Sequence, residues 1–144
     1  MEQSFKDKIL NEKFKELNKA IVTFSKSMGV DLGQSKFDEF EVDVLKSGQI
    51  QKFEYSLELS WKFLKSFLRR EKGLDAQGPK DVFRQFAKYE YFSQNEIQVF
   101  LNMVDDRNRI AHEYRDYIME KIYPKLKDYQ VLMKKIVKLD YQTS

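Results

Sequence analysis

The sequence predicts an all-α protein, folded as an antiparallel up-and-down bundle of four or five helices. Its 144 residues include only 5 Gly and 2 Pro, the residues that most often mark turns. Lys, Glu, Leu and Gln, which favour helices, are frequent. Apolar residues recur at steps of three and four, the spacing of one buried helical face. Short connections between such segments favour antiparallel packing in a bundle.

The first half of the chain contains two predicted helices. The first ends before Gly29, because glycine commonly follows the last helical residue. Its apolar series is Leu10, Phe14, Leu17, Ile21, Phe24 and Met28. A polar loop through Gly33 and Ser35 leads to a second helix that runs to Gly73 and is kinked or divided at Gly48. Its apolar positions are Phe40, Val44, Phe53, Leu57, Trp61, Leu64 and Leu68.

Three further helices are predicted in the second half. Pro79 suits a first helical turn and opens a short helix that extends to about Tyr89. Ser93, followed three residues later by Glu96, forms a capping-box pattern that begins the next helix. In the last helix Pro124 either starts the regular part or kinks it. This helix carries one apolar face formed by Ile118, Ile122, Leu126, Tyr129, Met133 and Ile136.

Length and composition predict one globular domain, residues 1–144. A content of 42% hydrophobic and 34% charged residues is ordinary for a soluble protein. No apolar run approaches the length of a transmembrane helix, and we expect a cytoplasmic protein. The absence of cysteine excludes disulfides, thiol catalysis and zinc-thiolate sites, and a single histidine argues against histidine-rich metal centres. We therefore expect neither a metal nor a cofactor.

Charge is distributed unevenly along the chain, although its net value is only +3. Residues 31–58 are mainly acidic, whereas residues 61–72 and 117–139 are mainly basic. Solvated helix faces account for most of these charges, and a basic groove for a phosphate-bearing partner is the alternative. Aromatic residues make up 15% of the chain, so their excess over core needs also suits a dimer interface.

The only histidine, His112, lies in a cluster of polar residues near the end of the fourth predicted helix. The apolar face of that helix, formed by Ile97, Phe100, Leu101 and Val104, continues at helical spacing onto Asn108 and His112. Arg107 lies on the adjacent row, and Tyr114 falls near it. Polar groups on a buried face need partners, because an unpaired one costs about 1–3 kcal/mol.

This cluster has two interpretations. In the first, Asn108 and His112 form a buried hydrogen-bond network that fixes helix register. In the second, the cluster binds phosphate: Arg107 supplies charge, His112 donates or accepts a proton near neutral pH, and Asn108 orients one of them. The residues alone leave both interpretations open.

Four sequence blocks occur in order between about Ile50 and Leu139. They are Phe53-Glu54-Tyr55, Leu57-Glu58-Leu59-Ser60-Trp61-Lys62, Gly78-Pro79-Lys80-Asp81-Val82, and Asp106-Arg107-Asn108 through Ala111-His112-Glu113-Tyr114. In order and spacing these blocks resemble the nucleotidyltransferase substrate-binding proteins, which belong to the HEPN superfamily of helical bundles. The resemblance implies a homodimer and a partner, a separate minimal nucleotidyltransferase that carries the metal-dependent transfer chemistry.

The resemblance also implies roles for four residues. Arg107 and His112 match the metal-independent ribonuclease pair of the superfamily's toxin-like branch, and Asn108 matches the adjacent polar position. Tyr114 matches a tyrosine that the partner enzyme modifies with adenylate in that branch. Arg109 and Ile110 depart from the small or polar residues that are common in the substrate-binding branch.

The block around Trp61 points to the substrate-binding branch and sets the order of the functional hypotheses. The first is an accessory subunit that uses Arg107, Asn108, His112 and Tyr114 to bind substrate or partner, with a nucleotide or RNA as ligand. The second is a ribonuclease toxin of a toxin–antitoxin pair, which would need two copies of Arg107 and His112 in one dimer cleft. The third is a structural dimer with a buried Asn108–His112 network.

Overall fold

The computed structural model describes residues 7–139 and Tyr141, and all regular secondary structure in this part of the chain is helical. The all-α fold is therefore confirmed. The predicted domain limits, residues 1 and 144, lie outside the described residues. The helices are α1 (Lys8–Met28), α2 (Glu39–Lys72), α3 (Pro79–Phe86), α4 (Gln94–Ile110), α5 (Arg115–Tyr117) and α6 (Leu126–Lys138).

Helices α1 and α2 form an antiparallel pair. The Lys13 ammonium donates to Ser66 Oγ at 2.8 Å, and the Gln49 side-chain amide donates to the Ser27 carbonyl oxygen at 2.8 Å. Residue numbers rise along α1 while those of their partners fall along α2, so the two helices run in opposite directions. Contacts of α3 with α4 and with Phe92 just before it follow the same rule, as do polar contacts between α4 and α6.

Helix α2 is continuous from Glu39 to Lys72, so the prediction of a division at Gly48 is wrong. A single glycine inside a helix costs only about 1 kcal/mol, and the burial of the apolar Ile50, Phe53 and Leu57 after it outweighs that cost. The predicted end is confirmed. Gly73 follows the helix with φ 68°, a left-handed conformation that glycine adopts without the steric cost of a Cβ.

The first turns of α2 do not join the core. Phe40 and Val44, predicted on the buried face, are 75% and 52% exposed. The length of α2 explains this difference: at 1.5 Å per residue it spans roughly 51 Å, whereas α1 spans roughly 32 Å. The start of α2 therefore has no long helix to pack against, while residues from Gln49 onward pack against α1 and α6.

Aromatic rings fill much of the core. The rings of Phe83 on α3 and Phe100 on α4 stack with centroids 4.6 Å apart, and the rings of Phe67 on α2 and Tyr141 meet edge to face at 5.0 Å. Trp61, also expected in the core, is only half-buried. Such contacts couple each helix to its neighbours, so truncating a buried ring typically costs about 3–5 kcal/mol.

The C-terminal helix has an irregular beginning. After α5, residues Ile118–Ile122 form a π-helical turn and Tyr123–Lys125 a 3₁₀ turn, so Pro124 lies just before the regular helix begins at Leu126. This agrees with the prediction that proline starts the regular part. All six predicted apolar positions of this region are buried: Ile118, Ile122, Leu126, Tyr129, Met133 and Ile136.

Candidate functional site

The lone histidine lies just beyond the C-terminal end of α4. The helix begins with the predicted capping box, in which Ser93 Oγ accepts from the Glu96 N–H at 3.1 Å and the Glu96 carboxylate accepts from the Ser93 N–H at 2.8 Å. It ends at Ile110, and the His112 N–H donates to the Arg109 carbonyl oxygen at 2.9 Å. His112 is therefore in a turn, one residue beyond the Ala that caps the helix.

Asn108 and His112 are both exposed, so the prediction that they continue the buried face of α4 is wrong. For His112, helical spacing was extended past Ile110, where the chain leaves the helix. Asn108 is still helical, but its side chain faces solvent, and the buried polar residue of this turn is Asp106. Among the described residues, no side-chain hydrogen bond joins Asn108 to His112 or joins either of them to Arg107. A single chain therefore does not form the buried Asn–His network.

The buried polar residue at this end of α4 is Asp106, which is 1% exposed. Its carboxylate accepts a hydrogen bond from the Tyr129 hydroxyl at 2.6 Å. It also forms an ion pair with Lys125 at 2.8 Å, and the Arg109 guanidinium lies 3.6 Å away. Burial, followed by the hydrogen bond to Asp106, raises the pKa of Tyr129 well above its usual value. The Tyr129 ring stacks on Phe53 of α2, with centroids 5.5 Å apart. The residue before Arg107 is thus anchored to α6 and, through Tyr129, to α2.

Sequence reasoning did not select Asp106 as a site residue. Its position carries a signal, because Phe100, Met103 and Asp106 follow one another at steps of three and all are buried. A carboxylate at such a position needs hydrogen-bonding and cationic partners, and the two at hydrogen-bond distance, Lys125 and Tyr129, are distant in sequence.

Arg107 itself faces α2. Its guanidinium lies 3.9 Å from the Glu54 carboxylate, and the two side chains are 39% and 28% exposed. Burial raises the pKa of Glu54 above its ordinary value, and the positive charge of Arg107 only partly offsets this rise. The distance is long for a hydrogen bond, so Arg107 is neutralised by a neighbour that does not hold it tightly.

A second acid, Glu58, lies one helical turn further along α2. It accepts a hydrogen bond from the Trp61 indole at 3.1 Å and pairs with Lys62 at 3.1 Å. Partial burial alone would raise the pKa of Glu58, but these two partners and the charge of Arg107 outweigh burial and lower it. Glu58 is therefore the better satisfied of the two acids near Arg107.

The third sequence block joins the same region from α3. Lys80, in the first turn of α3, pairs with Asp105 of α4 at 2.6 Å. Side chains from all four blocks thus contribute to the last two turns of α4: Glu54 and Glu58 lie near Arg107, and Lys80 pairs with Asp105. Blocks that are separate in the sequence therefore all contact this end of the helix.

Tyr114 projects from the turn between α4 and α5 and is 88% exposed. The next residue, Arg115, binds Asp43 of α2 through Nε at 3.0 Å and Nη2 at 2.7 Å, and Nη2 also contacts the Asp43 carbonyl oxygen at 3.2 Å. Sequence reasoning did not identify this bridge. It holds the backbone beside Tyr114 against α2 while the phenol remains accessible.

The sequence matches the protein family described as nucleotidyltransferase substrate binding protein like over residues 12–139. This chain belongs to that family. The match confirms the resemblance carried by the four blocks and extends it towards the N-terminus through α1.

A crystal structure of a protein from Thermus thermophilus has the same fold as this family member. The two share 30% sequence identity with a TM-score of 0.71, and the alignment covers 85% of this chain and 96% of the other. None of the curated proteins is similar enough in sequence to match the chain.

The chemistry open to this family member follows from its charges. Arg107 can pair with a phosphate in competition with Glu54, and the exposed His112 and Tyr114 add an imidazole and a phenol nearby in sequence. No group of three or more His, Cys, Asp or Glu side chains among the described residues is arranged to hold a metal ion. Over the same residues, no helix has both the length and the apolar character needed to cross a bilayer.

Proposed function

We propose that this chain is an accessory, substrate-binding subunit that pairs with a separate minimal nucleotidyltransferase. The observation that carries this proposal is the family match over residues 12–139, and it is supported by the contacts that all four sequence blocks make at the C-terminal end of α4. The transferase would supply the metal-dependent step. Because nucleoside triphosphates are cytoplasmic metabolites, we expect the complex to be cytoplasmic.

Tyr114 is the proposed acceptor that the subunit presents. Its side chain is 88% exposed, whereas the Tyr129 and Tyr123 hydroxyls are occupied by Asp106 and Gln49. In the transfer, the phenol oxygen forms a bond to the α-phosphorus of a nucleoside triphosphate. The bond to the β-phosphate bridging oxygen breaks, pyrophosphate leaves, and the phenolic proton passes to a base of the transferase or to water. The product carries a phosphodiester with one negative charge. In the alternative form of the accessory role, the subunit presents a separate bound substrate to the transferase instead of Tyr114.

Arg107, Asn108 and His112 form the proposed substrate-facing surface. Arg107 is the only one of the three with a side-chain ion pair in the described residues, and that pair is long at 3.9 Å. A phosphate of a nucleotide or RNA would form shorter, charge-assisted bonds with the guanidinium and displace Glu54. Asn108 and His112 are exposed and can contribute hydrogen bonds to the same ligand.

The proposed subunit is a homodimer whose cleft brings the two copies of α4 together. Asn108 and His112 of both copies would line this cleft across a two-fold axis. Light scattering at tens of micromolar protein tests this arrangement, since an interface of ordinary size persists at that concentration. A monomer under these conditions would exclude it.

Co-expression with a minimal nucleotidyltransferase encoded beside this chain tests the main proposal. A stable complex is expected to survive affinity purification and size exclusion, with both chains present in a fixed ratio. A matched pair of variants, Tyr114→Phe and Tyr55→Phe, removes the proposed acceptor and a second exposed phenol on α2, respectively. Both variants should still form the complex. Failure of the wild-type chain to co-purify would contradict the accessory role.

A further inference from the structure

An apolar strip is exposed at the start of α2. We define it as Phe40, Val44 and Gly48 of α2 with Val30 from the loop after α1. Phe40 is 75%, Val44 52% and Val30 40% exposed. Phe40, Val44 and Gly48 follow at steps of four, so they lie along one face of the helix, and Val30, Val44 and Gly48 line a shared hollow of about 280 Å³. Single exposed apolar residues are common, whereas a contiguous strip with a charged border marks an interaction surface.

Gly48 shows that packing within the chain does not explain the strip. A Cβ added at this position would have nothing within 4 Å, so no neighbouring residue requires glycine here. Glycine is also unfavourable in the middle of a 34-residue helix. Because Gly48 has no side chain, it leaves a flat surface that another backbone or a bulky side chain can approach closely.

The border of the strip is acidic around Phe40, which argues against a second copy of this chain as the occupant. Asp38, Glu39, Glu41 and Asp43 flank Phe40 and Val44, and no Lys or Arg occurs between residues 37 and 45. Asp43 is paired with Arg115, and Lys52 lines the far side of the hollow, so the net negative charge lies at the Phe40 end. A symmetric dimer through this strip would bring the acidic borders together, which like-charge repulsion disfavours. A partner with basic residues around an apolar centre is complementary.

The strip also adjoins the proposed acceptor. Asp43, next to Val44 in α2, holds Arg115, and Arg115 follows Tyr114 directly. Three bonds between Arg115 and Asp43 thus connect the strip to the turn that presents the phenol. A protein bound on the strip would have its nearby surface facing that turn.

We propose that the apolar strip is the docking surface for the minimal nucleotidyltransferase, which binds it through an apolar helix or ridge flanked by Lys or Arg. This inference rests on the proposed function and adds where the partner binds. Docking here would place the transferase next to Tyr114 without covering it. The acidic border would steer the basic partner and make the association salt-dependent.

Two variants test the strip without damaging the fold. Phe40→Ser removes an exposed ring, and Gly48→Ala adds a methyl group in open space. Gly48→Ala should raise the Tm of the isolated chain by a few degrees, because alanine favours the helix, and yet should weaken transferase binding by about 10-fold. Phe40→Ser should weaken binding at least about 10-fold, as truncation of a central aromatic does at many interfaces. The matched control, Val131→Ser, removes a 60% exposed apolar side chain on α6 and should leave binding unchanged.

Calorimetric titration of each purified chain with the transferase distinguishes the outcomes. We expect both strip variants to bind the transferase more weakly and Val131→Ser to bind it with unchanged affinity. Equal affinity of all variants would overturn the docking surface while the accessory role stands. No binding of the transferase by the wild type would overturn both the docking surface and the accessory role. Loss of self-association in Phe40→Ser, seen by light scattering, would make the occupant a second copy and overturn the inference.

Discussion

The two ends of α4 differ in how their polar groups are used. At the N-terminal end, the side chains of Ser93 and Glu96 each accept a hydrogen bond from the other residue's backbone N–H, and Glu96 also pairs with Lys135 at 2.7 Å. At the C-terminal end, a buried anchor at Asp106 is followed directly by Arg107 with a long ion pair and by exposed polar residues. The first end serves the fold alone. The second combines a fixed backbone with side chains left available, which is the arrangement that a recognition site needs.

The largest expected effect concerns the anchor. Asp106→Ala should destabilise the protein by about 2–3 kcal/mol, because it leaves the buried Tyr129 hydroxyl without its partner and removes a charged hydrogen bond. Urea unfolding measures the change in the free energy of unfolding. The neighbouring Asp105→Ala breaks a surface pair with Lys80 and should cost less than about 1 kcal/mol. Equal decreases in the free energy of unfolding of the two variants would show that Asp106 does not anchor this end of α4 more strongly than a surface residue.

A smaller loss of stability is expected at the opposite end of the helix. Ser93→Ala removes the side chain that caps α4 and should cost about 1 kcal/mol in the same assay. Gln94→Ala, at the next and exposed position, should stay within about 0.5 kcal/mol of the wild type. Because this end serves the fold alone, Ser93→Ala should leave transferase binding unchanged. A binding defect in a folded Ser93→Ala protein would break the comparison between the two ends.

Ligand binding at Arg107 should respond to Glu54. Glu54→Gln removes the negative charge that competes with phosphate and should tighten binding of a nucleoside monophosphate several-fold. The pKa of Glu54 is raised, so in the wild type this carboxyl gains its proton at a higher pH than an ordinary glutamate. Wild-type affinity should therefore increase as the pH falls through that pKa, and Glu54→Gln should lack this part of the increase. Titrations at several pH values check both effects, and identical pH profiles would contradict them.

No effect is expected of His112 on RNA. In an accessory subunit, incubation of the wild type with structured RNA and a chelator should give no cleavage that His112→Ala abolishes. General acid–base catalysis typically contributes about 10²–10⁴-fold, so His112-dependent cleavage would be easily detected on a gel. Its appearance would replace the accessory role by the ribonuclease alternative. Tyr114→Phe is the matched control, because a ribonuclease acting through Arg107 and His112 does not need the phenol.

The parts of the fold predicted from sequence are those set by local patterns. The ends of α1 and α2 follow from Gly29 and Gly73, and the start of α4 follows from Ser93 and Glu96, because capping depends on residues within one turn. The interruption expected at Gly48 failed because tertiary packing after that residue holds the helix together.

The surroundings of the candidate site could be predicted only in part. Arg107 was chosen from the sequence and its role stays a prediction, while its partner Glu54 comes from another helix and has no local signal. His112 was misplaced because helical spacing was continued beyond the end of α4, whereas Asn108 is inside the helix and was misplaced because its side chain faces solvent. Asp106 was missed because its burial depends on Tyr129 and Lys125, which only the folded bundle brings near.

The most direct test of the central claim is a peptide mass map of the chain after reaction with the transferase and a nucleoside triphosphate. The C-terminal end of α4 is claimed to be the functional end. A mass increase of one nucleotidyl group is therefore expected on the peptide that contains Tyr114, and none on the peptide that contains Tyr89 and Tyr91, before the N-terminal end. An increase on the Tyr89–Tyr91 peptide, or an unmodified Tyr114 when the transferase labels another acceptor in the complex, would contradict the account.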